Sequence, residues 1–487
     1  MPILPTFRER LALGRAQRKH MRRAEHAGWQ PALRKHHHPN PLKLLAASMR
    51  GRVPALIAIK YDRMAASPFG FYRGAVPVMG HDLSLGPNTG IFTQLCGDAH
   101  VRNLGAFAAP DGRIVFDIND FDETIRGPFE WDVKRMATSL ILAGREAGAK
   151  HSHCREAADT FLASYRSSMQ SFARMPVLEL ARYLVHRVGD VLPISQIMRV
   201  AERATPLHNL EALTLRVADA PRESAAPATA ELPPRTGPSP RIFKTVEPDL
   251  TRINGKLARD VLDSLATYAE TLEPERQHLL AQYTPLDVAF KIVGIGSVGL
   301  RDYCVYMQGN GAKDPLFLQI KEEVASAYTP YLGESAPYHN GRRVVEGQRA
   351  MQVQSDPFLG WTTVEGRDFL VRQLNDHKAA VALSELNIKP AALLEYAAVC
   401  GETLARGHAR SGDPSMIAGY IGASARFDEA VAHFAADYAD QTERDWELLV
   451  RSRRHGKPSA ARLEDVGPVA AKPHKHKGTK PTRRRSK

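Results

Sequence analysis

A chain of 487 residues with 43% hydrophobic and 24% charged positions can bury a sizeable core, which excludes a wholly disordered or fibrous protein. No apolar run reaches the ~20 residues that a membrane span needs, and no apolar leader is visible near the start. The formal charge of +13 is uneven: residues 1–50 carry 11 Lys/Arg against 2 Asp/Glu, residues 451–487 carry 13 against 2, and the rest is mildly acidic.

The basic ends predict solvated, disordered tails over residues 1–40 and 451–487, able to make weak electrostatic contact with nucleic acid or an anionic surface. Residues 41–63 turn apolar and predict one or two helices broken near Pro54. Ser67-Pro68-Phe69-Gly70-Phe71-Tyr72-Arg73-Gly74 reads as a packed turn presenting Arg73, to an anion or to an internal carboxylate.

Two polar clusters follow, Cys96-Gly97-Asp98-Ala99-His100-Val101-Arg102-Asn103 and Asp117-Ile118-Asn119-Asp120-Phe121-Asp122-Glu123, joined by the turn Pro110-Asp111-Gly112 and a short apolar strand. Phosphoryl transfer needs such a set: one carboxylate to orient and deprotonate a hydroxyl, an amide and another carboxylate to hold Mg²⁺. Asp98 and Asn103 have the D-x-x-x-x-N spacing of a kinase catalytic loop, and Asp120-Phe121-Asp122 stands where D-F-G would follow. The same residues also fit a Gly/Asp/Asn turn before a hairpin. So many polar groups beside buried strands are costly without a role.

Gly127-Pro128-Phe129-Glu130-Trp131-Asp132 opens an amphipathic helix, and further helices fill residues 153–214. Residues 218–240, rich in Pro, Ala, Ser and Thr, read as a linker or insertion. Residues 261–283 are helical, and then the texture changes to strands: 286–293, the glycine-rich turn Gly294-Ile295-Gly296-Ser297-Val298-Gly299, 301–307, and 316–323 with Lys321 near its end. Strand, glycine-rich turn, strand, strand-with-Lys is the layout of a nucleotide-covering hairpin. Residues 342–354 predict a helix carrying Glu346, a candidate partner for Lys321, with Glu322 and Glu323 competing. Residues 367–374 predict a strand, and residues 393–407 a helix ending near His408 and Asp413. These two either join the site or, for His408, serve the helix C-terminus. Residues 427–449 predict the last helix.

These motifs resemble the bacterial family called domain of unknown function 2252, over nearly the whole chain outside the tails and the proline-rich stretch. The resemblance is carried by Ser67-Pro68-Phe69 with Tyr72-Arg73-Gly74, Gly97-Asp98-Ala99-His100 with Asn103, Asn119-Asp120-Phe121-Asp122, Gly127-Pro128-Phe129-Glu130-Trp131-Asp132, Gly296-Ser297-Val298-Gly299, Gln319-Ile320-Lys321-Glu322 and Gly407-His408-Ala409. More distantly, Gly97-Asp98-x-His100-x-x-Asn103 is similar to the catalytic loop of aminoglycoside phosphotransferases and choline kinases. That resemblance implies Asp98 as the base, Asn103 and Asp120 as Mg²⁺ ligands, and Lys321 on the ATP phosphates. Cys96 departs from the usual His, and the glycine-rich hairpin follows the catalytic loop instead of preceding it. A circular permutation reconciles the order, provided residues 41–64 and 427–449 lie together.

The expectation is therefore an α+β, two-lobed, permuted protein-kinase-like fold. Residues 41–217 form a helical lobe with the catalytic and metal motifs, 218–241 the linker, 242–375 a small antiparallel-sheet lobe for nucleotide, and 376–450 helices completing the large lobe. The expected function is ATP- and Mg²⁺-dependent phosphotransfer to an unidentified hydroxyl. Asp98 and His100 would be catalytic; Asn103, Asp120 and Asp122 would hold metal; Gly294, Gly296, Ser297, Gly299, Lys321 and Glu346 would hold nucleotide. Arg73, Asp117, His408 and Asp413 are further candidates. The alternatives are a catalytically idle kinase-like scaffold and a nucleic-acid-associated protein acting through its tails. Four scattered cysteines with no C-x-x-C pair suit a reducing cytoplasm.

Overall fold

The computed structural model describes residues 5–29, 34, 40–185, 191–221, 228, 240–333, 339–374, 377–380 and 390–454. The histidines 36–38, most of the proline-rich stretch and residues 455–487 lie outside the described residues.

The architecture is α+β. Six antiparallel strands form the main sheet, in the spatial order Gly360–Val364, Arg367–Gln373, Pro315–Glu322, Asp302–Gln308, Thr284–Lys291, Leu250–Arg252. Its middle strands are buried on both faces, which is why Leu316-Phe317-Leu318 is a continuous apolar run and not an alternating one. One face packs on Ala258, Val261 and Tyr268 of the helix Lys256–Ala269. The other packs on Leu210 and Phe243. The single helix expected over 261–283 is two, Lys256–Ala269 and Pro274–Leu280. Pro274 has no N–H to continue a helix and instead starts one.

The larger core is helical. The helices Glu130–Glu146, His151–Phe172, Pro390–Ser411 and Arg426–Arg454 pack together through Val133, Leu140, Phe161, Tyr165, Leu404 and Val431. Against them lie a three-stranded sheet, with Ile114–Ile118 and Leu104–Ala108 as a hairpin, and the two-stranded pair Phe92–Leu95 with Ile125–Pro128. The helices Pro41–Ser48 and Pro54–Ala65 break at Pro54 as the sequence predicts. Among the described residues no helix is long and apolar enough to cross a membrane.

The N-terminal segment expected as a tail is ordered over residues 5–29. Its helix Phe7–Ala16 lies on the helix Pro414–Ile421, close enough that a Cβ on Gly14 would strike the Met416 backbone. Arg18 donates to the Tyr420 carbonyl at 2.8 Å and the Gly419 carbonyl at 2.6 Å, and Arg23 donates to Ile421 at 2.8 Å. These are the carbonyls that a helix end leaves without partners. The basic composition of this stretch serves a structural need.

Candidate functional site

The site forms where the two polar clusters meet the end of the strand Pro315–Glu322. Gly97 lets them meet. Its φ is +82°, and a Cβ there would collide with the Glu123 carbonyl, so only glycine allows the Asp98 turn to press against the acidic turn. The Asp98 turn is anchored from below. Asp132 accepts from the Cys96 and Gly97 backbone N–H groups at 2.8 and 3.1 Å, His408 lies 3.3 Å from the same carboxylate, and Tyr165 reaches the other His408 nitrogen at 2.7 Å.

Asp98 is gripped by Arg135, whose Nε and Nη2 lie 2.8 and 2.5 Å from Oδ1. Arg135 is buried beneath it. The other oxygen, Oδ2, lies 3.6 Å from His100 Nε2. Burial raises the Asp98 pKa against the opposing pull of Arg135. Burial, with Arg73 and Arg135 nearby, holds His100 well below its ordinary value, so its ring is neutral.

Asn103 ties the clusters together. Its Nδ2 donates to the Asp98 and Asp120 carbonyls, each at 2.9 Å, while its buried Oδ1 has no partner among the described residues. Lys321 Nζ arrives from the sheet, 3.5 Å from Asp120 and 2.5 Å from Asp122. One ammonium cannot neutralise two carboxylates equally. Burial raises both, but Lys321 overrides it at Asp120, which is held low, whereas burial and Asp120 push Asp122 up. Burial opposes charge on Lys321 and the facing carboxylates more than restore it, so its pKa is raised.

Asp120 and Asp122 are therefore together with Lys321, and Asp98 and Asn103 adjoin them through hydrogen bonds. Other candidates fall elsewhere. Glu346 does not partner Lys321: it is exposed on the helix Asn340–Met351 and bonds Arg342 at 2.6 Å. Arg343 points inward from that helix instead, donating to the Asp122, Thr124 and Val324 carbonyls. The buried carboxylate beside Lys321 is Glu323, raised by burial and by Asp122. Asp117 is buried and paired with Arg406. Asp413 caps the helix Pro414–Ile421, accepting from Ser415 and Met416. His408 supports the Asp98 turn through Asp132 and does not line the site.

The glycine-rich turn is held by cations of the helix Pro54–Ala65 and of the turn that precedes it. Lys60 donates to the Ile295 and Gly296 carbonyls, Arg63 to Gly294 at 2.6 Å and Arg52 to Val298 at 2.6 Å. Ser297 Oγ turns back to Val293 at 3.1 Å. A cavity under this turn is lined by Ser297, Gly299, Asp302 and Lys321.

Sequence reasoning missed Arg135, Arg343 and Asp132. The signal for two of them was available: Asp132 and Arg135 stand three apart on one face of a helix that runs on into the apolar stretch Leu140-Ile141-Leu142-Ala143, where charges drawn into a core need partners.

A family model described as "Uncharacterized protein conserved in bacteria (DUF2252)" matches residues 52–452. No curated protein and no solved structure matches the chain.

Proposed function

The chain belongs to the bacterial family DUF2252, and from the geometry of its site we propose that it is an ATP- and Mg²⁺-dependent phosphotransferase acting on a hydroxyl, built on a two-lobed, circularly permuted protein-kinase-like frame. The observation that carries this reading is the convergence of Lys321, from the sheet, on Asp120 and Asp122, beside an Asn103 whose buried Oδ1 lacks a partner. A buried amide oxygen without a donor is costly, and a cation would satisfy it. Asn103 Oδ1 and the half-exposed Asp120 carboxylate fit a hard, oxygen-seeking ion. Bound there, Mg²⁺ would neutralise charge on the phosphoryl oxygens.

Asp98, its pKa raised, takes the proton of the acceptor hydroxyl. The freed oxygen bonds to the γ-phosphorus, the bridging oxygen–phosphorus bond breaks and ADP leaves. Arg135 fixes the Asp98 rotamer, and Lys321 meets the polyphosphate charge. The permutation is supported by the packing of the two segments it must join: Trp446 Nε1 donates to the Ala65 carbonyl at 2.9 Å, and Met49, Tyr61, Met64 and Leu449 share one apolar cluster. Four buried, unpaired cysteines fit a reducing cytoplasm.

Calorimetric titration of ATP with and without Mg²⁺ tests the reading. Binding that needs Mg²⁺ and weakens at least tenfold in Asn103→Ala and Asp120→Asn is expected. Equal affinity in both variants would refute the metal assignment.

A further inference from the structure

We infer that Lys60, Arg63 and Arg52 are positioning residues for the nucleotide: they hold the carbonyls of the glycine-rich turn, so that its N–H groups are left for the phosphates. This deepens the phosphotransferase reading and rests on it for the nucleotide; the orientation of the turn stands on its own hydrogen bonds.

Every carbonyl of the turn is accounted for. Gly294 accepts from Arg63 at 2.6 Å, Ile295 from Lys60 Nζ at 3.2 Å, and Gly296 from the same nitrogen. Val298 accepts from Arg52 at 2.6 Å, Gly299 from the Val53 N–H at 2.7 Å, and Ser297 from the Leu300 N–H at 2.9 Å. All but the Ser297 carbonyl are thus held by residues 52–63. Gly299 lets Arg52 come this close: its φ is +94°, and a Cβ there would stand 3.1 Å from that of Arg52.

The N–H groups are unspent. Those of Ile295, Gly296 and Ser297 make no hydrogen bond among the described residues. Their peptide bonds are trans, so each N–H points opposite to the carbonyl of the residue before it. Those carbonyls, of Gly294, Ile295 and Gly296, point at Arg63 and Lys60. The three N–H groups therefore point away from the helix Pro54–Ala65. Successive N–H groups presented together attract an anion, and the carbonyl oxygens that would repel it are turned to the other side. Without the side-chain donors these peptide planes are free to rotate and to offer carbonyls in the same place.

The turn stands beside the acidic centre. Ser297 and Gly299 line one cavity with Lys321. The Arg73 carbonyl lies 3.7 Å from where a Cβ on Gly296 would stand. The preceding carbonyl, of Tyr72, accepts at 3.1 Å from Arg135 Nη2, the nitrogen that also holds Asp98. Gly294 and Gly296 are exposed, so a ligand can reach the turn, whereas Lys60 is buried behind it. Burial holds Lys60 well below its ordinary pKa, and its amine has hydrogens for both carbonyls with or without the extra proton.

The test uses the full chain with Mg²⁺. ATP, adenosine and inorganic tripolyphosphate are titrated by calorimetry into wild type, Lys60→Met, Arg63→Met and Arg63→Lys. ATP and tripolyphosphate affinity at least tenfold lower in Lys60→Met and at least threefold lower in Arg63→Met is expected, with adenosine affinity within twofold of wild type. Arg63→Lys keeps a donor for the Gly294 carbonyl and should stay within threefold of wild type for ATP. Wild-type ATP affinity in both Met variants overturns the proposal and leaves the three side chains as a dock for the sheet. Equal loss of ATP and adenosine also overturns it, because a loosened fold does that. Arg63 is only partly buried, so its variants decide if Lys60→Met fails to fold. A wild type that binds tripolyphosphate through Lys60 but binds no ATP would keep the oriented turn and remove the phosphotransferase reading; a wild type that binds neither overturns both.

Discussion

Replacing Lys321 with Met separates what the ammonium does for the fold from what it does for a ligand. Lys321 is 3% exposed and its nitrogen lies 2.5 Å from Asp122. Removing one partner of a buried ion pair costs ~3–5 kcal/mol. The Asp120 side chain is 47% exposed and that of Asp122 22%, so water takes up part of the orphaned charge. A loss of about 1–3 kcal/mol at pH 7 is expected.

The pH dependence follows from the same geometry. In the wild type the Asp120 pKa is depressed, so its contribution is present above the unfolded value of ~3.9 and lost as pH falls through the folded value. Without Lys321 both carboxyls are raised by burial and by each other. The folded variant then holds more protons than the unfolded chain, and its stability rises as pH falls from 7 towards 4. Urea unfolding of both proteins across that range should show the deficit shrinking with acid. Lys321→Met combined with Asp122→Asn should recover part of the stability at pH 7 while ATP affinity stays at least tenfold down. A deficit independent of pH, or wild-type ATP affinity in Lys321→Met, would refute the reasoning.

Further predictions concern neighbouring groups. Asp302 is pushed up to about 7 by burial, with one oxygen on Gln319 and the other unpartnered. Its carboxyl destabilises the fold increasingly as pH rises from ~4 to 7, so Asp302→Asn should gain a few kcal/mol at pH 8 and almost nothing at pH 4 by urea unfolding. Arg135→Leu leaves Asp98 without its buried partner and should lower stability by ~3–5 kcal/mol, read as a lower denaturation midpoint with unchanged m-value. Arg18→Ala leaves two carbonyls of the helix Pro414–Ile421 short of a charged donor and should cost ~2–3 kcal/mol by the same measurement.

Much of the fold was legible because its elements obey local rules. Pro41, Pro54, Pro68, Pro390 and Pro414 stand in the first turns of helices, and the strands around the glycine-rich turn are apolar runs of strand length. The candidate site was legible where spacing carries chemistry: Asp98 to Asn103, and Asp120 to Asp122. What failed was pairing across the chain. Glu346 has the right residue type on a correctly placed helix, but helical rotation sends it to solvent and turns Arg343 inward. Asp117 has the right type three residues before Asp120, in a strand whose last three residues are all buried, and there it pairs with Arg406. The N-terminal arginines look like a tail in composition, and only the unpaired carbonyls of a helix some 400 positions away explain them.

The central claim is that Asp98 passes a proton so that a hydroxyl can take the terminal phosphoryl group of ATP. Its most direct measurement is release or transfer of label from γ-labelled ATP by the wild type and by Asp98→Asn, with Mg²⁺ present and a panel of alcohols offered as acceptors. Asparagine keeps an oxygen for Arg135 but cannot accept the proton, so ATP affinity within threefold of wild type and turnover reduced at least a hundredfold are predicted. Turnover in Asp98→Asn equal to wild type would contradict the account, as would a wild type that binds ATP and never turns it over.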